Sequence, residues 1–256
     1  MEGHLIYYTI LVLFEVSVSF VGTLFSEPFT LILYFLSFLP PLILGYRRYK
    51  RERAEREAAA GIREEAPNLL GISRKNAALS IPVALLTVAL VFLVSYITSL
   101  LLSALNVGGA PEYTGSFTYL LLRGAILPAM LEELLFRLLP LLLLAPYSKR
   151  WAILLSSLLF MLVHPSPYQM PYALLAGVIF IVADLVFESI LPSLFIHLIN
   201  NTVSAVWIYY INTGTRAAVF VSVIGALAAV SAVIIIVFKK EYARLFRRCF
   251  PKRKPL

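Results

Sequence analysis

Long apolar runs alternate with short polar or turn-rich breaks along the whole chain, and eight of the runs have helix length. They cover approximately 5–25, 29–46, 77–105, 117–145, 151–164, 170–187, 190–211 and 217–238. A helix needs about 20 apolar residues to cross a hydrocarbon core of about 30 Å. The pattern therefore predicts an all-α polytopic transmembrane bundle of about eight spans. The fifth run is short, and the HPSPYQMP that begins at His164 cannot be regular helix throughout, because proline lacks an N–H and restricts the residue before it. Irregular backbone at membrane depth is tolerated only where protein or water covers it. The first run is expected to stay as a helix rather than act as a secretory signal: MEGH carries no basic residue, and the run exceeds a usual signal core. No tandem repeat and no Ser/Gly linker divides the chain, so residues 1–256 are expected to form one domain.

Composition points the same way. The chain is 60% hydrophobic and 14% charged, against about 25% charged in soluble domains. The mean hydropathy is +0.86. Its one cysteine, Cys249, excludes an internal disulfide framework.

Charge orients the bundle. Nine Lys/Arg lie between the second and third runs, two (Lys149 and Arg150) follow the fourth, and eight occupy the tail from Lys239. The connections on the other side contain Arg216 alone. Basic loops stay in the cytosol, which predicts cytosolic termini, a cytosolic basic loop at 47–76 and a cytosolic basic tail at 239–256. A stretch rich in alternating charge and alanine, 51–63, reads as a solvated helix. The net charge of +8 does not imply nucleic-acid binding. Topology and attraction to anionic lipid heads account for the basic residues, and no aromatic-interleaved basic surface accompanies them.

The informative exceptions are polar residues inside the runs. Glu132, Glu133 and Arg137 interrupt the fourth. Left ionised and unpaired, three such charges would cost on the order of 8 to 10 kcal/mol, and each surrounding leucine returns only about 0.3 to 0.6 kcal/mol. His164 ends the fifth run, and His197 and Asn201 sit in the seventh. Counting about 1.5 Å per residue from the cytosolic ends puts Glu132 and His164 near 20 Å, Asn201 near 16 Å and His197 near 10 Å. With tilt, these depths are compatible with one site. Glu133 and Arg137 are four apart and can pair on one helix face, as can His197 and Asn201. Glu132 points about 100° away from Glu133, so the two carboxylates need not share a job. Glu132 then suits a general base on water, with imidazole and amide donors for a developing oxyanion. These are the parts of a peptide-bond hydrolase without a serine or cysteine nucleophile.

Each part also has a plainer reading. A lone membrane histidine usually bonds helix to helix, and a Glu–Arg pair usually clamps one. Asn201 beside Asn200 reads as packing, Phe160 as core, and Glu188 as a cytosolic interface residue. Asp184 and Glu15 add acidic groups in or near spans, Glu15 without an evident purpose. A non-catalytic scaffold or chaperone, or a proton-coupled transporter, would use the same residue types. Transport would favour inverted repeats with paired broken helices, and the one irregular segment near 165–171 has no matching partner.

Taken in order, Glu132-Glu133-x-x-x-Arg137, Phe160-x-x-x-His164 and His197-x-x-x-Asn201 resemble the motifs of the CAAX protease and bacteriocin-processing (Abi) family, which includes the Ras-converting CAAX endopeptidases. The resemblance spans Glu132 to Asn201 and implies an eight-helix intramembrane endopeptidase open to the cytosol. Its substrates would be prenylated proteins, from which it removes the last three residues. By position, Glu132 would activate water with help from His164, while His197 and Asn201 form the oxyanion hole and Glu133 and Arg137 support them. No cofactor is implied by a glutamate-activated water, although Glu132, His164 and His197 are also an alternative zinc-ligand set. The first three spans and the tail match nothing in the family pattern.

The charge asymmetry is testable. With Cys249→Ser as background, Ala59→Cys should react with a membrane-impermeant thiol reagent from the cytosolic side and Gly109→Cys from the opposite side. Labelling of both from one side would refute the eight-span topology.

Overall fold

The computed structural model of the chain describes residues 2–22, 27–107, 116–164, 166–211 and 214–251. Among these residues every regular element is helical. The helices are α1 (Glu2–Gly22), α2 (Glu27–Ala60), α3 (Arg74–Ala104), α4 (117–143), α5 (Lys149–Leu162), α6 (Met170–Phe187), α7 (Leu191–Val206, continued by a wide turn over Trp207–Ile211), α8 (Gly214–Val237) and α9 (Lys239–Cys249). The first eight occupy the eight apolar runs. Five segments are long and apolar enough to cross a membrane: Phe29–Ala60, Arg74–Ala104, Met170–Phe187, Leu191–Ile211 and Thr215–Val237. The protein is thus an all-helical membrane protein. By contrast, α5 has 14 residues, about 21 Å of rise, and α4 is interrupted twice.

Several boundaries differ from the sequence expectation. Helix α2 does not stop near Tyr46 but continues to Ala60, absorbing half of the expected 47–76 loop. Nothing between those positions breaks a helix, and the pairs Arg48–Glu52, Arg51–Glu55 and Arg53–Glu57, each four apart, support the extension. The connection shrinks to 61–73. Of the expected basic tail, Lys239–Cys249 forms α9 and 252–256 lie outside the described residues; Tyr242 donates to the Leu79 carbonyl and Lys149 donates to the Cys249 carbonyl. Helix α6 ends on Glu188, whose φ of 56° is the left-handed conformation that stops a helix. Glu188 is exposed and lies 3.5 Å from Arg248 of α9.

Helix α4 sits centrally, flanked by α1, α2, α5 and α7, while α3 packs across α6, α7 and α8. Helices α5 and α6 pack along an extensive seam; α5 buries the small residues Ala152, Ser156 and Ser157, α6 buries Ala173, Ala176 and Gly177, and Gly177 meets Ser157. Small residues let backbones approach closely where lipid offers no hydrophobic drive between helices. A Cβ at Gly177 would lie 3.0 Å from the Cα of Ser157, a backbone atom that cannot swing away. Gly177→Val should therefore lower stability by about 1 to 3 kcal/mol. Thermal unfolding in detergent checks this, and an unchanged midpoint would show that the seam is looser than described.

Candidate active site

Two prolines shape α4. Pro128 and Pro140 have no N–H for the carbonyls of Gly124 and Phe136, four residues back, and each is preceded by a wide π turn, Leu122–Ile126 and Leu134–Leu138. In the second, the Leu139 N–H bonds to the Leu134 carbonyl, leaving those of Leu135 and Phe136 for other donors. The Tyr8 hydroxyl of α1 donates to Leu135 at 3.1 Å. Phe136 accepts from Ser156 of α5 and from Arg137 Nη1 at 3.0 Å. The backbone irregularity thus ties α4 to α1 and α5 and holds the guanidinium.

Arg137 and Glu133 are both fully buried and lie 3.3 Å apart. Rings cover the guanidinium on two sides, Phe160 at 4.6 Å and Phe180 at 5.2 Å. This is the pair expected from the spacing. Phe160 is core, as its plain reading had it, and it also packs edge-on against both His164 and His197, with centroids 4.8 and 5.7 Å away. The His197 Nδ1 lies 2.7 Å from Glu133 Oε1. Its other nitrogen, Nε2, is 3.9 Å from Glu132 Oε2. One imidazole therefore faces both carboxylates, which the 100° separation of adjacent helical residues did not suggest.

The two glutamates differ in what remains free. The Glu133 side chain is 0% exposed, and Glu132 is 13% exposed. Glu132 Oε1 accepts from the Tyr34 hydroxyl of α2 at 2.8 Å, whereas Oε2 accepts no hydrogen bond among the described residues. The Arg123 guanidinium lies over the Tyr34 ring, 4.0 Å from its centroid. Glu15, unexplained from the sequence, is buried and accepts from Ser37 of α2 at 3.2 Å, one turn from Tyr34.

His164 falls two residues beyond the end of α5 rather than within it. Its Nδ1 is 2.8 Å from the Phe160 carbonyl, and it makes no ion pair with Glu132. If Nδ1 carries the proton, Nε2 is left as an acceptor. Asn201 Oδ1 accepts from the buried Asn200 at 3.2 Å. The structure thus brings Glu132, Glu133, Arg137 and His197 into direct contact, with His164 joined to them through the Phe160 ring. Asn201 lies one turn beyond His197 on α7. Among the described residues no three His, Cys, Asp or Glu side chains are grouped to hold a metal ion.

Tyr34, Ser156 and Asp184 take parts that the sequence did not assign. Asp184 is buried, and its Oδ1 accepts from the backbone N–H of Ser193 at 3.0 Å. It caps the start of α7, the helix that carries His197. Tyr34 stands in an apolar run, and no spacing links it to a residue ninety-eight positions later.

No curated protein and no solved structure matches the chain significantly. A family model does match, over residues 114–203, about a third of the chain. That stretch holds Glu132, Glu133, Arg137, His164, His197 and Asn201 together. The model is that of the family described as Rce1-like, type II CAAX prenyl endopeptidases, and the match over residues 114–203 is consistent with the CAAX protease and bacteriocin-processing motifs in the sequence.

Proposed function

We propose that this protein is an intramembrane endopeptidase that removes the C-terminal tripeptide of prenylated CAAX proteins, with Glu132 as the base that activates water. The observation that carries this reading is the contrast between adjacent carboxylates. Glu133 is sealed, with Oε2 ion-paired to Arg137 at 3.3 Å and Oε1 hydrogen-bonded to His197 at 2.7 Å. Glu132 is 13% exposed and held by one oxygen, while its other oxygen, Oε2, is buried 3.9 Å from His197 Nε2 and accepts no hydrogen bond among the described residues. The family match over the same residues supports the CAAX type of substrate.

In the proposed reaction Glu132 Oε2 takes a proton from water, and the hydroxide adds to the scissile carbonyl carbon. The oxyanion accepts hydrogen bonds from His197 and Asn201. With Nδ1 of His197 donating to Glu133, Nε2 can donate to the oxyanion when it too carries a proton. His164, with Nδ1 against the Phe160 carbonyl, presents Nε2 to orient the water. Protonated Glu132 then returns its proton to the leaving amine as the C–N bond breaks. No step is routed through a metal. Substrate would reach the site from the cytosolic half, keeping its prenyl chain between helices.

Glu132→Gln keeps the shape and removes the base, so turnover of a fluorogenic farnesylated peptide should fall about 100- to 10,000-fold with folding intact. His164→Ala should be of similar severity, and Asn201→Ala should cost on the order of 100- to 1,000-fold. Near wild-type turnover by folded Glu132→Gln would sink the mechanism. Arg137→Ala should behave differently, losing folded yield along with activity, because stranding buried Glu133 costs about 3 to 5 kcal/mol. A separate check on cofactors is stringent zinc removal, which should leave the rate unchanged; loss restored by added zinc would contradict the metal-free step. Unprenylated peptide should be cleaved poorly, and equal turnover of both forms would remove lipid recognition while leaving the protease reading in place.

A further inference from the structure

Helix α4 carries a second arginine that the reaction above does not use. Arg123 is half-buried within the span and contacts the Tyr34 ring. It forms no ion pair with an acidic side chain among the described residues, and its only recorded partner is that ring. Arg137, by comparison, has Glu133. A guanidinium held inside a membrane protein without a carboxylate suits an anion brought by a ligand. An arginine fork is moreover shaped to grip a carboxylate through two parallel hydrogen bonds.

Position narrows the anion. The Tyr34 ring lies between Arg123 and the active site: the guanidinium is over its face, and its hydroxyl donates to Glu132. Arg123 is 132 − 123 = 9 residues before Glu132 on the same helix, about 13.5 Å along the axis. It lies on the side away from the basic Lys149–Arg150 connection. With that connection in the cytosol, Arg123 is farther from the cytosolic face than Glu132, toward the opposite side of the membrane. A protein whose body remains in the cytosol and whose C-terminus enters first would pass Glu132 and end beside Arg123. Three extended residues reach about 10 Å, a length commensurate with this separation once the arginine side chain is folded toward Tyr34.

We propose that Arg123 is the receptor for the substrate's free C-terminal carboxylate and thereby sets how far from the end the chain is cut. The assignment rests on the endopeptidase reading and its cytosolic orientation. Tyr34 serves as the spacer between this receptor and the base, orienting Glu132 through one oxygen and shelving the guanidinium on its ring. Peptides extended at the C-terminus, or lacking the terminal charge, would lose the contact that registers the scissile bond.

The test uses the purified full-length protein with three farnesylated CAAX peptides: a free C-terminal carboxylate, the matching carboxamide, and a form extended by two residues. Wild type should cleave the carboxylate form roughly 10- to 100-fold more efficiently in kcat/KM than the carboxamide, the range expected of a charge-assisted pair. The extended form should be cut slowly or at a shifted bond. Arg123→Gln should erase the carboxylate preference while retaining turnover of the carboxamide, and Arg123→Lys should keep part of it. Equal wild-type rates on carboxylate and carboxamide would overturn the receptor and leave the endopeptidase reading standing, whereas no cleavage of any of the three would overturn both. An undiminished preference in folded Arg123→Gln would remove Arg123 from the role. If that variant does not fold, the wild-type comparison of carboxylate with carboxamide decides by itself.

Discussion

The arrangement depends on one buried ion pair. Glu133 and Arg137 are fully enclosed, and neither could remain charged there alone. Their attraction is supplemented: two aromatic rings cover the guanidinium, Ser156 and the Phe136 carbonyl accept from its Nη1, and His197 meets the carboxylate. These partners come from α4, α5, α6 and α7. The pair is therefore a point at which four helices are held in mutual register, in surroundings where apolar contact alone distinguishes poorly between helix and lipid.

That clamp leaves Glu132 out. Its neighbour absorbs the arginine and one imidazole nitrogen, so Glu132 keeps a free oxygen and a partly open surface. In the proposed reaction the division of labour between two adjacent glutamates follows from which of them the rest of the bundle encloses. The π turn that follows Glu133 contributes, since it widens α4 at the point where carbonyls must be surrendered to Tyr8, Ser156 and Arg137. Pro140 is the covalent cause, because no N–H is available there to close an ordinary turn.

Around this centre the helices differ in their debt to protein and to lipid. Helices α4, α6 and α7 bury functional polar groups, whereas α8 exposes Val219, Val223, Val230 and Ile236 along its length. Asp184 adds a further layer, fixing the first turn of α7 and with it the height of His197. The site is thus a set of polar contacts between helices, and the residues that hold the helices together are those the proposed reaction uses.

The apolar runs by themselves determined the helices, because a chain in hydrocarbon must satisfy its backbone internally and helix is the local way to do so. The motif spacings determined the Glu133–Arg137 pair, since residues four apart on a helix are neighbours whatever surrounds them. The end of α2 was misjudged for a related reason: hydropathy marks where a chain leaves lipid, not where a helix stops. Contacts across the bundle were decided only by tertiary structure. That His197 reaches both glutamates, that Tyr34 holds Glu132, that Asp184 caps α7 and that Arg123 lies against Tyr34 all depend on helix rotation and tilt. Those are set by the packing of small residues such as Gly177 and by the π turns of α4, and no periodicity along a single helix encodes them.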